Sequence, residues 1–328
     1  MISFVLGVED LADTRFAVSP LQETVLSLRV LRDPGLSALH LPWHRSVLPR
    51  LGTLDTELLT SLVGRRHLLP DFLTPRPERF APAFDDELAI ARQTSLDLVR
   101  RDLLAPHAPG PLPEALRDAT ATDAKVVRLT ATLCEVLGRY WERAIKPMWP
   151  QIRLTLEADM TYRARQLAKG GARLLFSDMH PNLRWHDGVL HIDEVTGEHR
   201  ITAAGRGLLL IPSVFAHKPA PPIHPDDPPV LAYPSRAVAT LWAPTSPPDA
   251  TALASLLGAP RATLLRILQE PLATTEIARR IGVTPSAVSQ HLRVLYATGL
   301  VTRARQGRQV LYRRSSLGDQ LAHRVPVA

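Results

Sequence analysis

Four polar side chains, Ser286, Ser289, Gln290 and Arg293, recur at i, i+3, i+4 and i+7 in the stretch PSAVSQHLRVLYAT. That spacing puts them on one face of a helix, while Val288, Leu292 and Leu295 form an apolar stripe on the opposite face. A core requires the apolar stripe; it does not require the polar one. Two of the four have defined partners in a DNA groove. A glutamine amide matches adenine N6 and N7, and a guanidinium matches guanine O6 and N7, each pairing contributing roughly 1–3 kcal/mol of discrimination. Serine is less selective. His291 falls between the two faces, as a boundary histidine or a phosphate contact. Thr284 is the expected N-cap and Pro285 the first helical residue. The first turn carries no acid, so its positive end, with Thr284 beside it, is open to a backbone phosphate.

The residues that follow add charge. Gly299 ends the helix, and Leu300–Arg305 and Gln309–Arg314 read as two strands joined by a turn at Gln306-Gly307-Arg308. Arg303, Arg305, Arg308, Arg313 and Arg314 gather on this ribbon. Such a cluster repels itself unless a polyanion neutralises it, so phosphate contact is the expected role for most of them. Arg308, at the tip, is placed to reach a minor groove. Leu311 is expected to anchor the ribbon to the core.

The elements that must hold this face lie just upstream. Thr274 is the expected N-cap of a preceding helix, Glu276 complements its positive end, and Ile277, Ala278 and Ile281 face inward. Gly282 ends that helix, as a residue tolerant of positive φ. Leu253, Leu256, Leu257, Leu264 and Leu268 predict two further short helices around Pro260. Helix, turn, helix and two-stranded ribbon together make a winged helix-turn-helix.

The string LATTEIARRIGVTPSAVSQHLRVLYATGLVTRARQGRQVLYR closely resembles the ArsR-type winged helix-turn-helix repressors. The resemblance rests on SxxSxHLRxL at 286–295, AxGLV at 297–301 and GRxxxY at 307–312. It implies a homodimer whose paired recognition helices address an inverted repeat in double-stranded DNA and repress transcription until a signal releases it. Metal sensors of that family often carry cysteines in the helix before the recognition turn. Here that segment is PLATTEIARRIG, so thiolate-based metal sensing is not expected. A more distant similarity links the region in front to the N-terminal regions of some long ArsR-like regulators.

Charge follows the same division. Residues 258–328 hold eleven arginines, no lysine and three acids, a net of +8, against +7 for the whole chain. A near-neutral body thus carries a basic C-terminal module, as a region that meets a polyanion would. With 328 residues the chain has room for two domains. The proline-rich stretches 218–229 and 243–249 suit an exposed connection, giving an N-terminal sensing or dimerisation domain over 1–245 and a winged helix over 250–322. The N-terminus lacks a basic n-region, and no stretch approaches a membrane span, so a cytoplasmic location is expected. Cys134 is the single cysteine, which excludes an intrachain disulfide and marks it as a core residue.

The expected fold class is α+β, with a mostly helical N-terminal domain and a small sheet. Ser19-Pro20 opens a helix ending at Asp33-Pro34-Gly35, with Leu21, Val25, Leu28 and Leu31 as its buried stripe. Further helices are expected over 41–51, 55–63, 85–104, 122–146 and 151–169. Strands are expected at 2–8 and in ARLLF, LRWHDGVLHID, HRITAA, GLLLIPSVF and VLAYP, with Asp187-Gly188 as a hairpin turn. His180, His186, His191 and His199, interspersed with Asp178, Asp187, Asp193, Glu194 and Glu198, suggest a metal centre. Their spacing matches no metal motif, however, and strand alternation sends neighbours to opposite faces, so they read as polar hairpin positions and no metal or cofactor is expected. The chain lacks a nucleophile elbow, a P-loop and a dinucleotide fingerprint, so it is not expected to be an enzyme. A small-molecule effector is the expected ligand of the N-terminal domain. The alternative is an enzyme or a protein-interaction domain fused to the winged helix.

Overall fold

The computed structural model describes residues 1–117, 120–195, 197–222, 228–242, 250–306 and 309–323. The chain is α+β and divides into two compact units, Met1–Trp242 and Ala243–Ala328. Among the described residues no helix is long and apolar enough to cross a membrane.

The first unit contains strands β1 (Ile2–Val5), β2 (Arg15–Phe16), β3 (Leu183–His186), β4 (Val189–Ile192), β5 (His199–Thr202), β6 (Leu209–Ser213) and β7 (Val230–Pro234). They form two small sheets. One has the order β3-β4-β1-β5, with β1 antiparallel to β4 and parallel to β5; the other is parallel, with the order β2-β6-β7. The β3–β4 hairpin turns at Asp187 and Gly188, both at positive φ, as its sequence predicts. Ile2, Phe4, Leu190, Leu210 and Tyr233 pack in a core of their own beneath the strands.

Helix α1 (Val8–Ala12) packs Leu11 against this core, and a larger core belongs to the helices α2 (Pro20–Arg32), α3 (Leu41–Leu51), α4 (Thr56–Ser61), α5 (Phe84–Arg92), α6 (Leu96–Leu104), α7 (Glu114–Arg117), α8 (Asp123–Tyr140), α9 (Trp149–Ser177) and α10 (Val238–Leu241). The expected 85–104 helix is two helices, parted at Gln93–Ser95. The expected 122–146 helix passes into a π turn at Trp141–Ile145, just ahead of Pro147, whose missing N–H cannot continue the ladder. ARLLF is not a strand. Past the kink at Gly170 and Gly171 it continues α9, and its Leu175 and Phe176 enter the sheet-side core. A short apolar run of good helix formers reads equally as buried strand or buried helix, and packing decides.

Helix α2 departs furthest from expectation. Ser19 caps it by accepting from Gln22 N at 3.0 Å, as predicted, but burial extends over every residue from Pro20 to Leu31, not over a stripe. Its polar side chains are therefore held by bonds. Glu23 Oε2 accepts from Val214 N at 3.1 Å, Ser27 Oγ pairs with Tyr140 Oη at 2.8 Å, and Arg29 Nε donates to His67 O at 2.7 Å. Burial pushes the Glu23 carboxyl up to about 8 and Glu87, which accepts from Leu21 N, up to about 7. Cys134 is a buried free thiol, as expected of a core position.

The His/Asp/Glu-rich stretch disperses. Asp178 pairs with Arg163 and Arg236, Asp193 accepts from Arg184 at 2.8 Å, and His191 Nδ1 meets Ser3 Oγ at 3.2 Å. His186 sits at the hairpin beside Asp187. Among the described residues no group of three or more such side chains could hold a metal ion.

The second unit consists of α11 (Ala250–Leu257), α12 (Ala259–Ile267), β8 (Leu272–Ala273), α13 (Thr274–Ile281), α14 (Pro285–Ala297), β9 (Val301–Gln306), β10 (Gln309–Arg314) and α15 (Ser316–His323). Its sheet has the order β8-β10-β9, and Leu264, Leu268, Ile277, Val288, Leu292, Leu295 and Val301 fill its core.

Candidate DNA interface

Local sequence builds the helix-turn-helix. Gly282 adopts φ 69° after α13, and Val283 N donates to Ala278 O at 3.1 Å across the turn. Glycine reaches that conformation without the steric cost other residues incur. Thr284 then caps α14, its hydroxyl accepting from Ala287 N at 3.3 Å, with Pro285 at the first helical position. The cap of α13 differs from expectation. Thr274 is the first helical residue and Ala273 holds the cap position, because Leu272 and Ala273 are pinned as β8 against Tyr312 and Leu311 of β10.

Along α14, Val288, Leu292 and Leu295 are buried, while Thr284, Ser286, Ser289, Gln290 and Arg293 are all exposed and His291 is half-buried. The structure thus brings the expected polar stripe onto one accessible face. It adds a residue that sequence reasoning missed. Tyr296, 44% exposed, lies three residues beyond Arg293 and so continues the stripe, and the Arg303 guanidinium of β9 stacks 4.5 Å from its ring centre. The i+3 step from Arg293 was the available signal. The partner on the wing had none.

The wing sorts its arginines by register. Arg303 pairs with Tyr312 and Arg305 with Val310, whereas Arg313 pairs with Thr302. Residues directly opposite in an antiparallel ladder share a face, so Arg303 and Arg305 lie on one face and Arg313 on the other. All three are exposed. Arg314 is the exception and corrects the reading of the ribbon as one basic cluster. It is 7% exposed, its Nε lies 2.9 Å from Asp319 Oδ1 of α15, and its N–H donates to Leu268 O at 3.0 Å. It belongs to the packing of the unit. Leu311, expected to anchor the ribbon, is only half-buried outside the core cluster; Val301 and Tyr312, on the inward face, do that instead. Arg308 lies outside the described residues.

Charge is also neutralised selectively. Glu276 accepts from Arg279 at 2.7 Å and 3.0 Å and from Arg280 at 2.8 Å, and these bonds push its carboxyl down to about 2. The two basic residues of α13 are thereby partnered within their own helix. The first turn of α14, by contrast, holds no acid, so its N-terminal end keeps its positive character.

Comparison with known proteins bears on this unit alone. No curated protein and no solved structure matches the chain. Residues 261–303, from α12 through the first residues of β9, match the family model described as bacterial regulatory protein, arsR family. The C-terminal unit is therefore an ArsR-family winged helix-turn-helix domain, preceded by a large N-terminal region.

Proposed function

We propose that this protein is a sequence-specific transcriptional repressor that binds an inverted-repeat operator as a homodimer and is released by a small molecule held in its N-terminal unit. A DNA-binding regulator is what the ArsR-family domain supports directly. The observation that carries the finer reading is the exposed row of Ser286, Ser289, Gln290 and Arg293 on a helix whose other face is wholly committed to the core. Gln290 and Arg293 supply direct base readout; Arg303, Arg305 and Arg313 supply phosphate contacts that set register and salt dependence. In this reading the N-terminal unit regulates and does not catalyse. It acts in the cytoplasm, where the DNA is.

Titration of the full-length protein onto the inverted repeat of its own promoter tests the proposal. Tight binding to the intact repeat, weaker binding to a single half-site and loss on a scrambled repeat are expected. Equal affinity for all three fragments would sink both the specificity and the dimer.

A further inference from the structure

A cavity of about 350 Å³ opens in the first unit between α2, α5, α6, the 66–76 segment and the proline-rich strap 218–222. Most of its wall is apolar, with Leu26, Leu69, Phe72, Ile90 and Val230 contributing. Cations nevertheless converge on it. Arg29, Arg66, Arg76 and Lys218 line the wall, against the acids Asp71 and Asp102, and Asp102 already meets Arg101 at 3.0 Å.

Three features of that wall make little sense for an ordinary core. Arg29 is 6% exposed; its Nε donates to His67 O at 2.7 Å and Asp71 favours its charge, while its Nη1 is buried with no hydrogen-bond partner among the described residues. A buried guanidinium donor left unmade is costly, and such orphans call for a missing acceptor. Lys218 donates to the carbonyl oxygen of Glu194 at 3.0 Å; burial first, then Arg29 and Arg66, disfavour its charge, against Glu194, which favours it. Burial, together with Arg29, Lys218, His67 and His180, likewise pushes His217 behind the wall down to about 4. Finally, Arg66 and His67 are consecutive non-glycine residues at φ 52° and 60°. Strain of that kind persists where surrounding structure enforces it, and it gathers at binding sites.

We propose that this cavity binds an amphipathic organic carboxylate, with its carboxylate taken by Arg29 and Lys218 and its apolar body by Leu26, Leu69, Phe72 and Ile90. Guanidinium presents a planar fork matched to a carboxylate, and the anion relieves the repulsion between Arg29, Arg66 and Lys218. An apolar lining with a few convergent polar groups suits a small organic ligand better than inorganic phosphate, which offers nothing to the aliphatic and aromatic wall. The proposal deepens the reading that the N-terminal unit senses a small molecule, and rests on it for biological meaning only.

Isothermal titration of the full-length protein with hexanoate, octanoate, decanoate and dodecanoate, each beside the alcohol of equal length, tests it. At the best-fitting length the acid should bind about tenfold more tightly than its alcohol. Arg29→Met should abolish that ratio while the alcohol binds as before. Lys218→Met, at a half-buried position, should reduce it. Equal binding of acid and alcohol at every length, or binding of neither, overturns the proposal. Operator affinity is read separately in the same samples. Selective carboxylate binding with no change in operator affinity would keep this site and remove the sensing role; absence of binding with DNA affinity intact would remove the site alone.

Discussion

The guanidinium of Arg303, on the first wing strand, stacks on the ring of Tyr296, on the recognition helix. The contact ties α14, proposed to read base edges, to the wing, proposed to contact phosphates, and so holds the two elements in a fixed relation. At an exposed site such a pair contributes about 0.5–1 kcal/mol. Tyr296→Ala should therefore weaken operator binding roughly twofold to fivefold by fluorescence anisotropy, and Tyr296→Phe should restore it. An unchanged affinity in the alanine variant would reduce the contact to incidental packing.

Base readout and phosphate contact separate by mutation. Gln290→Ala and Arg293→Ala should each cost about 1–3 kcal/mol on the operator and little on random DNA. Arg313→Ala should weaken both alike and lower the salt slope by about one. Equal losses on specific and random DNA in all three variants would contradict these roles.

Arg314 is expected to behave unlike its neighbour. Its charge is buried against Asp319, so Arg314→Ala should lower the melting temperature of the unit while leaving the salt slope of DNA binding unchanged. Circular dichroism and salt-dependent titration measure the two effects independently.

Leu292 is fully buried between α14 and its supporting helices. Truncation to alanine should cost ~2–5 kcal/mol through the lost transfer free energy and the cavity left behind. Amide hydrogen exchange of the α14 segment as a function of denaturant reads it.

The Glu23 carboxyl, pushed up to about 8 by burial, sets a pH dependence. Because the folded form holds its proton more tightly than the unfolded chain, its contribution to stability is complete below the ordinary value of 4.5 and declines as pH rises towards 8. Glu23→Gln removes the titrating group while keeping an acceptor for Val214 N–H. The variant should lose that decline, gaining stability on the order of a few kcal/mol relative to the parent at alkaline pH. Parallel pH–stability curves for the two proteins would contradict a raised Glu23.

What could be read directly from the sequence was local. Gly282, Thr284 and Pro285 specify a turn and a helix start through their own backbone preferences, and the two stripes of α14 follow from helical period. Asp187-Gly188 marked a hairpin for the same reason. The wing's charge was legible as composition. Its sorting was not, because strand alternation and the position of α15 decide that Arg313 faces outward while Arg314 is buried. Likewise, α2 reads as amphipathic, yet the larger core and the 66–76 segment close around it and turn Glu23 and Arg29 into interior groups. The cavity lies furthest from sequence reasoning. Arg29, Arg66 and Lys218 stand far apart in the chain, and neither their convergence nor the orphaned donor on Arg29 exists until the fold removes water from between them.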